Sequence, residues 1–247
     1  MVVASDFKDK RALVTGAGSG IGQALTKKLL SLGTKVVAVT LTQQESDTLT
    51  KEYGTNVTPI VVNLADWDDT KAKLEPHCKD IDYLCNVAGV TYVDVLENIP
   101  KEAIDNIFNV NAKAPLQITG LVGKHMKERG RGSIVNVSSI SSLMASDGHV
   151  AYCASKAAVD MLTKCGSKEL GPYNVRINAV NPTVVWTEMG KKVWSDPEKQ
   201  KTLRLKIPMD RFVEIREVID PILFLLGSES SMISGVCLPI DGGMLAC

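Results

Sequence analysis

A tyrosine and a lysine stand four residues apart, at Tyr152 and Lys156, in a stretch of helical period. On a helix this spacing places both side chains on one face, within reach of a shared ligand. A phenol titrates at about pH 10, and a neighbouring ammonium group stabilises the phenolate and lowers its pKa. The pair therefore predicts acid–base chemistry in which the tyrosine protonates an alkoxide. The alternative interpretation is a solvated helical face, because Tyr-x-x-x-Lys also occurs by chance.

A serine is expected to lie beside this pair. Ser139 follows the apolar run Ile134-Val-Asn-Val137 and precedes Tyr152 by thirteen residues. In an open α/β sheet, ligands bind at the carboxyl ends of the strands, and this serine would lie there. Its hydroxyl is suited to hydrogen-bonding a carbonyl oxygen. Other serines nearby are interpreted as ordinary turn residues.

Glycines crowd the turn after the first apolar run, where the sequence reads Thr15-Gly-Ala-Gly-Ser-Gly-Ile-Gly22. A strand that leads into such a turn and then a helix brings backbone N–H groups and the positive helix end close to a pyrophosphate. The spacing differs from G-x-G-x-x-G, and no Gly-Lys-Ser/Thr follows, which excludes a P-loop. We therefore predict a dinucleotide site; the alternative is a tight turn whose glycines serve packing alone. The turn residues expected to contact the dinucleotide are Gly16, Ser19, Gly20, Ile21 and Gly22.

The choice of dinucleotide depends on the end of the second strand, where an acidic residue favours NAD and a basic one favours NADP. That place holds Thr40, Leu41 and Thr42. No carboxylate there repels a phosphate, and no arginine binds one. The hydroxyls of Thr40, Thr42 and Ser19 are able to donate to a 2′-phosphate. The sequence thus favours NADP (NADPH), with NAD left open.

The elements that position these residues alternate between apolar runs of strand length and longer stretches of helical period. This pattern predicts an α/β protein with a doubly wound parallel sheet and helices on both faces, in one domain spanning 1–247. The strands are expected at Arg11–Thr15, Lys35–Val39, Thr58–Val62, Ile81–Cys85, Ser133–Val137, Val175–Ala179 and Val236–Ile240. The segments 140–151 and about 183–208 are expected to form the walls of a substrate pocket. The second is interpreted as a mobile cover or, alternatively, as a plain surface helix.

Composition excludes several classes of function. The 247 residues carry 28 basic and 28 acidic side chains, so no net charge attracts nucleic acid. Six thinly spread cysteines without a C-x-x-C pair suggest a reducing compartment, and three distant histidines provide no metal site. No run of about 18 apolar residues predicts a membrane span. A cytoplasmic protein is expected.

Taken together, Gly16-x-x-x-Gly20-x-Gly22, Asn86-Val-Ala-Gly89, Asn111, Ser139 and Tyr152-x-x-x-Lys156 resemble the short-chain dehydrogenase/reductase family. The resemblance spans nearly the whole chain. It implies a Rossmann-type fold, usually assembled as a homotetramer.

The resemblance also implies a role for each catalytic candidate. Tyr152 is the proton donor and Ser139 holds the substrate carbonyl. Lys156 binds the nicotinamide ribose and lowers the pKa of the tyrosine, while Asn111 supports a proton relay. His149 and Trp194 fall where a sugar-reducing branch of the family contacts its substrate; the alternatives are a polar turn histidine and a packed tryptophan.

Further dinucleotide contacts follow from the same resemblance, at three places in the chain. They are Asn63 with Leu64 beside the adenine, Asn86 with Ala88 and Gly89 near the adenosine ribose, and Pro182, Val185 and Thr187 at the carboxamide.

The activity that the resemblance implies is NADPH-dependent, reversible reduction of L-xylulose to xylitol and of small α-dicarbonyls such as diacetyl. Four residues depart from the pattern. Val87 replaces a second asparagine, Ser19 and Leu41 stand where NADPH-dependent members carry basic residues, and Ile140 replaces a polar residue. Two alternatives stay open: another acceptor, such as a 3-oxoacyl thioester, a steroid or a different sugar, and a non-catalytic NAD(P)-binding regulatory protein.

Overall fold

The structure is a computed structural model that describes residues 3–246, apart from the side chains of Met189, Lys192 and Val193. Cys247, one of the six cysteines, lies outside the described residues. Among the described residues, no helix has the length and apolarity that a membrane crossing requires.

The described residues form a seven-stranded sheet in which all neighbouring strands are parallel. Its strands are β1 (Arg11–Thr15), β2 (Lys35–Thr40), β3 (Val57–Val61), β4 (Tyr83–Asn86), β5 (Gly132–Val137), β6 (Val175–Pro182) and β7 (Cys237–Ile240). The spatial order is β3-β2-β1-β4-β5-β6-β7. The predicted α/β fold is confirmed.

Helices connect the strands and cover the sheet. They are α1 (Gly20–Ser31), α2 (Gln43–Tyr53), α3 (Trp67–Leu74), α4 (Lys101–Phe108), α5 (Ala114–Arg129), α6 (Val150–Leu170), α7 (Glu188–Val193), α8 (Pro197–Arg204) and α9 (Ile215–Leu226). A π-helical segment, Asn109–Lys113, joins α4 to α5.

Two apolar clusters hold the helices to the sheet, one on each face. Neighbouring residues of β1 alternate between them: Val14 belongs to the cluster that includes Leu25 of α1 and Leu223 of α9. Leu13 belongs to the other cluster, with Ile118 of α5. This alternation follows from the period-2 geometry of a strand, and it gives a three-layer arrangement in which every central strand is apolar on both sides.

The strand order reverses beside β1. From β1 the chain moves outward through β2 to β3, and then crosses to β4 on the other side of β1. The connections that leave the carboxyl ends of β1 and β4 therefore run in opposite directions and leave a crevice between them. Crevices of this kind are the usual ligand sites of open α/β sheets.

Candidate active site

A cavity of about 680 Å³ lies at the carboxyl ends of the strands, and the turns that follow β1, β2, β3, β4, β5 and β6 contribute to its lining. Most of the predicted site residues line it. They are Gly16, Ser19, Gly20, Ile21, Gly22, Thr40, Leu41, Asn63, Leu64, Ala88, Gly89, Ser139, His149, Tyr152, Lys156, Pro182, Val185, Thr187 and Trp194. Three predicted residues, Thr42, Asn86 and Asn111, are not part of the lining.

The glycine turn leaves the amino end of α1 open toward the cavity. Ser19 precedes the helix without making a side-chain capping bond, so the first N–H groups of α1 are not covered by it. Gly20 has a φ of 51°, a conformation that suits glycine. A Cβ on Gly22 would lie 2.1 Å from the carbonyl oxygen of Gly16, so the turn closes only because this side chain is absent. Uncovered N–H groups at a helix amino end fit the pyrophosphate of a dinucleotide.

Thr15, which the sequence reasoning missed, holds the turn after β4 against the glycine turn. Its hydroxyl accepts hydrogen bonds from the backbone N–H groups of Val87 and Ala88, at 2.9 and 3.1 Å. Thr15 ends β1, so this contact links the carboxyl ends of the two strands that border the crevice. It fixes the backbone of Ala88 and Gly89 at the cavity wall.

The side chain of Asn86, which was predicted to lie with the following backbone near the adenosine ribose, is not part of the cavity lining. The side chain lies in the interior, where its amide donates to Asn136 at 2.8 Å and to Thr119 at 3.2 Å. All four residues of β4 are buried, so strand alternation gives no sign of the direction in which Asn86 points. Only the backbone that follows it reaches the cavity.

Ser139 is the second residue after β5 and is buried. Its hydroxyl oxygen accepts from the N–H of Ser141 at 3.1 Å, which begins a short turn of helix. Its main-chain carbonyl accepts from the Ser142 hydroxyl and from the Asn181 amide. Ser139 is thus held by a backbone N–H on its hydroxyl oxygen and by two side-chain donors on its carbonyl.

Tyr152 occupies the first turn of α6, and burial raises the pKa of its phenol to about 12, while a hydrogen bond with Ser139 acts in the opposite direction. The spacing of Tyr152 and Lys156 predicted a lowered pKa. That direction is not found, because desolvation outweighs the other effects and Lys156 is not among the groups that shift the phenol. The phenol is therefore neutral and able to donate a proton.

Lys156 lies one helical turn after Tyr152, and its side chain is 3% exposed. Its Nζ donates to the carbonyl of Val137 at 2.9 Å and lies 5.7 Å from the centre of the Tyr152 ring. Burial lowers the pKa of this ammonium group to about 8, and Asp160 opposes the shift. A Cβ on Gly89 would lie 3.4 Å from Nζ, so the lysine reaches across the cavity floor to the turn after β4.

Asn111 is placed by the π-helical segment between α4 and α5, a local geometry often found at functional sites. Its side-chain oxygen accepts from the N–H of Val90 at 2.8 Å, and its amide donates to the Val90 carbonyl and to the Ser155 hydroxyl. Ser155 in turn donates to the carbonyl of Tyr152. Asn111 therefore lies behind the cavity wall and connects α6 to the turn after β4.

A buried polar cluster lies beneath Ser139 and was not predicted. Asp160 of α6 accepts hydrogen bonds from the Ser142 hydroxyl and from the Asn181 amide, and both donors also bind the carbonyl of Ser139. Asp160 is two helical turns after Tyr152 and one after Lys156, on the same face of α6. The cluster joins the ends of β5 and β6 to the helix that carries the tyrosine.

At the end of the cavity beside β2 and β3, one predicted residue, Thr42, lies outside the lining. The Thr42 side chain caps α2 by accepting from the N–H of Glu45 at 3.3 Å and is absent from the cavity lining. The hydroxyl of Thr40 donates to the Thr42 carbonyl. Asn63 accepts from the N–H of Ala65. The residue that sequence reasoning missed is Glu45, whose side chain lines the cavity. The sequence pattern that could have identified Glu45 is the capping box Thr42-x-x-Glu45.

The opposite end of the cavity contains His149 and Trp194 beside an apolar wall. His149 precedes α6, bonds the carbonyl of Asp147 through Nδ1 and meets the Tyr152 ring edge-on. The wall consists of Ile140, Met144, Leu203 and Met244, with Ile207, Phe212 and Leu245 packed against them. This wall lies beside Ser139 in the cavity lining.

The segment after β6 closes the cavity over the glycine turn. Thr187 caps α7 by accepting from the N–H of Gly190. Its Cγ2 methyl group lies 3.5 Å from the position that a Cβ on Gly20 would take. Val185 pairs with Val213 as an isolated parallel bridge, which ties the start of the segment to the chain before α9. The predicted cover at 183–208 thus contains the two short helices α7 and α8.

The family model described as short chain dehydrogenase matches residues 10–198. L-xylulose reductase of Mus musculus is 47% identical over 96% of this chain and 97% of its own length. Carbonyl reductase [NADPH] 2 of Sus scrofa is 43% identical, with 98% of each chain covered.

Solved structures agree with these sequence relatives. A gluconate 5-dehydrogenase from Burkholderia cenocepacia, in complex with NADP and tartrate, superposes with a TM-score of 0.91 at 27% identity and covers 99% of each chain. A 4-hydroxyisoleucine dehydrogenase complexed with NADH gives the same score and identity, covering 97% of this chain and 100% of its own. Both nicotinamide dinucleotides therefore occur among proteins of this shape.

Proposed function

The chain belongs to the short-chain dehydrogenase family, and we propose that within it the chain reduces L-xylulose reversibly to xylitol, and small α-dicarbonyls such as diacetyl, with NADPH as hydride donor. It is an NAD(P)-dependent oxidoreductase that acts on CH–OH and C=O groups. The observation that carries the proposed reaction is the placement of the half-buried Tyr152 and of Ser139 together on the cavity wall, with Ser139 lowering the pKa of the phenol against the effect of burial. The proposed substrates are supported by the near full-length identity to an L-xylulose reductase.

The proton for the reaction comes from Tyr152. A bound nicotinamide supplies the hydride for the carbonyl carbon and accepts it in the reverse direction. The neutral phenol gives its proton to the carbonyl oxygen as negative charge develops there, so the C=O group gains one hydride and one proton and becomes CH–OH. Ser139 donates to the same oxygen and orients it toward the phenol.

Lys156 is proposed to act on the tyrosine after the proton has left. Its ammonium group lies 5.7 Å from the ring and stabilises the phenolate in a buried setting, where a charge acts strongly. With a pKa of about 8, the same group is able to exchange protons near neutral pH. Lys156 is also proposed to hold the nicotinamide ribose. Asn111 is proposed to support the proton relay, and it is connected to Tyr152 through Ser155.

The dinucleotide is proposed to lie along the cavity floor. The open amino end of α1 would receive the pyrophosphate, with Thr187 above it. Asn63 and Leu64 would contact the adenine, and the backbone of Ala88 and Gly89 the adenosine ribose. The segment from Pro182 to Thr187 would contact the carboxamide. NADPH as donor is supported by the name of the porcine relative, while NADH is also expected to be accepted.

Consumption of NADPH with L-xylulose, followed by absorbance, tests the proposal. We expect turnover by the wild type and its loss in Tyr152→Phe, which keeps the ring and removes only the hydroxyl. Turnover that persists in Tyr152→Phe would contradict the assigned proton donor. Dinucleotide binding without turnover of any ketose or dicarbonyl would instead favour the non-catalytic alternative.

A second candidate substrate class is favoured by the apolar wall. Ile140, Met144, Leu203 and Met244 offer no hydrogen bonds to the hydroxyl groups of a sugar, whereas they suit an alkyl group beside a carbonyl. Acceptors such as diacetyl or a less hydroxylated ketone fit this wall. A panel in which kcat/KM is compared for L-xylulose, diacetyl and a simple methyl ketone distinguishes the two classes.

A homotetramer in the cytoplasm is the proposed state of the protein. Large apolar side chains are exposed on the outer faces of α4, α5 and α6, including Ile104, Leu116 and Met161. Such side chains are suited to burial between copies of the chain. Light scattering after size-exclusion chromatography tests this assembly, and a monomer at micromolar concentration would contradict it.

A further inference from the structure

Glu45 places a carboxylate over the end of β2. Its Oε2 accepts hydrogen bonds from the backbone N–H groups of Leu41 at 3.0 Å and Thr42 at 3.2 Å. Together with the Thr42 hydroxyl bond to the Glu45 N–H, these contacts form a capping box that holds the side chain at the amino end of α2. The carboxylate is therefore fixed by the local fold.

The same side chain also covers the glycine turn. A Cβ built on Gly18 would lie 2.3 Å from the carboxyl carbon of Glu45. Glu45 thus spans the gap between the turn after β1 and the end of β2, and it lines the cavity there. These are the two segments between which a Rossmann-type site receives the adenosine ribose.

The charge at this end of the cavity is not balanced by a cation. Among the described residues that line the cavity, the lysines are Lys156, on α6, and Lys206, beyond α8, and no arginine is present. Both lysines belong to segments on the nicotinamide and substrate side. Leu41, the residue at the end of β2, is apolar and 64% exposed.

We propose that Glu45 is a specificity-determining residue that opposes the 2′-phosphate of NADPH, so that the preference of the chain for NADPH over NADH is weakened to less than tenfold. This inference rests on the proposed dinucleotide site and refines its cofactor choice. Two effects act together. The carboxylate repels a phosphate, and it already occupies the two N–H groups that would otherwise receive one. The free 2′-hydroxyl of NADH is able to donate to the same carboxylate.

Equilibrium dissociation constants for NADH and NADPH, measured by calorimetry without a carbonyl substrate, test the inference. The two dinucleotides differ only in the 2′-phosphate, so the ratio of their constants isolates this end of the site. Glu45→Gln removes the charge and keeps an acceptor oxygen for the N–H groups of Leu41 and Thr42. We expect it to tighten NADPH relative to NADH by about tenfold. Glu52→Gln, on the same helix and outside the cavity lining, is the control for net charge and should leave the ratio unchanged.

A second variant tests the same place without altering the capping box. Leu41→Arg adds a cation at an exposed position and should also shift the ratio toward NADPH. The dependence of dinucleotide binding on salt concentration provides a further test. Raising the ionic strength should improve the relative binding of NADPH to the wild type, because repulsion is screened, and should weaken it in Leu41→Arg.

Each result has a defined meaning. An equal ratio in wild type and Glu45→Gln, or a wild type that prefers NADPH by more than tenfold, overturns the role of Glu45 while leaving the proposed function intact. Failure to bind either dinucleotide would overturn the proposed function itself. Thermal melting of Glu45→Gln shows whether α2 remains folded, and the Leu41→Arg result stands independently of that outcome.

Discussion

The side-chain amide of Asn181 donates to both carboxylate oxygens of Asp160, at 2.9 and 3.1 Å, and the same nitrogen donates to the carbonyl of Ser139 at 3.2 Å. Asp160 lies one helical turn after Lys156. One buried carboxylate therefore supports Ser139, the serine proposed to bind the carbonyl, and also raises the pKa of Lys156. This connection makes Asp160 a positioning residue for the proposed reaction.

Asp160→Asn is expected to lower kcat and to shift the pH profile. An amide facing the Asn181 amide loses an acceptor, which costs about 1–3 kcal/mol of folding free energy. Because Asp160 raises the pKa of Lys156, its removal should move the limb of the kcat/KM profile that reports this lysine to lower pH. Asp105→Asn, which removes an exposed partner of Lys101 on α4, serves as the control. A reduced kcat with an unmoved pH profile would show a merely structural role.

Lys156→Met is expected to abolish turnover and yet stabilise the fold at neutral pH. The unfolded lysine holds its proton to a pKa of about 10.5, whereas the folded one has a pKa of about 8, so the wild-type free energy of unfolding rises with pH across this window. The variant should be more stable by up to about 3 kcal/mol at pH 7, which corresponds to roughly 5–10 °C in Tm.

The stability gained by Lys156→Met over the wild type should disappear as the pH approaches 10.5. Thermal melts at several pH values measure it. Lys164→Met, on an exposed position of the same helix, is the matched control, and its effect should not vary in this way. A destabilised Lys156→Met at pH 7 would contradict the desolvation argument.

Gly22→Ala is expected to lose dinucleotide binding. The added Cβ would lie 2.1 Å from the carbonyl oxygen of Gly16, and a backbone atom cannot yield without reshaping the turn. We expect destabilisation of roughly 2 kcal/mol or more. Gly171→Ala meets nothing within 4 Å and has a φ of −52°, so it should be tolerated. Denaturant unfolding measures the stability of the two variants, and calorimetry measures their dinucleotide binding. Equal stability and binding in both variants would refute the packing argument.

Thr15→Val is expected to weaken both the fold and the binding of the dinucleotide. The substitution is nearly isosteric and leaves the N–H groups of Val87 and Ala88 without their acceptor, at a cost of about 1–3 kcal/mol each. Thr202→Val removes an exposed helical hydroxyl that donates to Glu198 and should change stability by less than about 0.5 kcal/mol. Chemical denaturation with parallel binding measurements checks the pair. Similar losses in the two variants would refute the role of Thr15.

The strand positions were predictable because buried parallel strands are continuous apolar runs. The predicted and observed bounds of β1 coincide, and the prediction for β6 stopped three residues early, at Ala179, because Asn181 and Pro182 do not look like buried strand residues. They are buried because Asn181 finds its partners in Asp160 and Ser139. No local pattern carries that information.

The site residues also differ in how far their positions could be predicted from the sequence. Tyr152 and Lys156 share one helix, so their proximity follows from spacing alone. Asp160 lies on that face too, but its partners come from two strands that only the folded sheet brings together. The capping role of Glu45 could have been predicted, because Thr-x-x-Glu is a capping-box pattern. Its position in the cavity could not, because it depends on how close Gly18 lies to the Glu45 side chain.

The apolar wall around Ile140, Ile207 and Met244 forms a cluster separate from the two that hold the helices to the sheet. Substitutions in this wall therefore leave the main packing of the sheet intact. On the proposed function, changes in this wall would alter acceptor preference in evolution while folding and hydride transfer are preserved. A combinatorial library restricted to Ile140, Met144, Leu203 and Met244 should accordingly yield mostly folded proteins with altered substrate ranges.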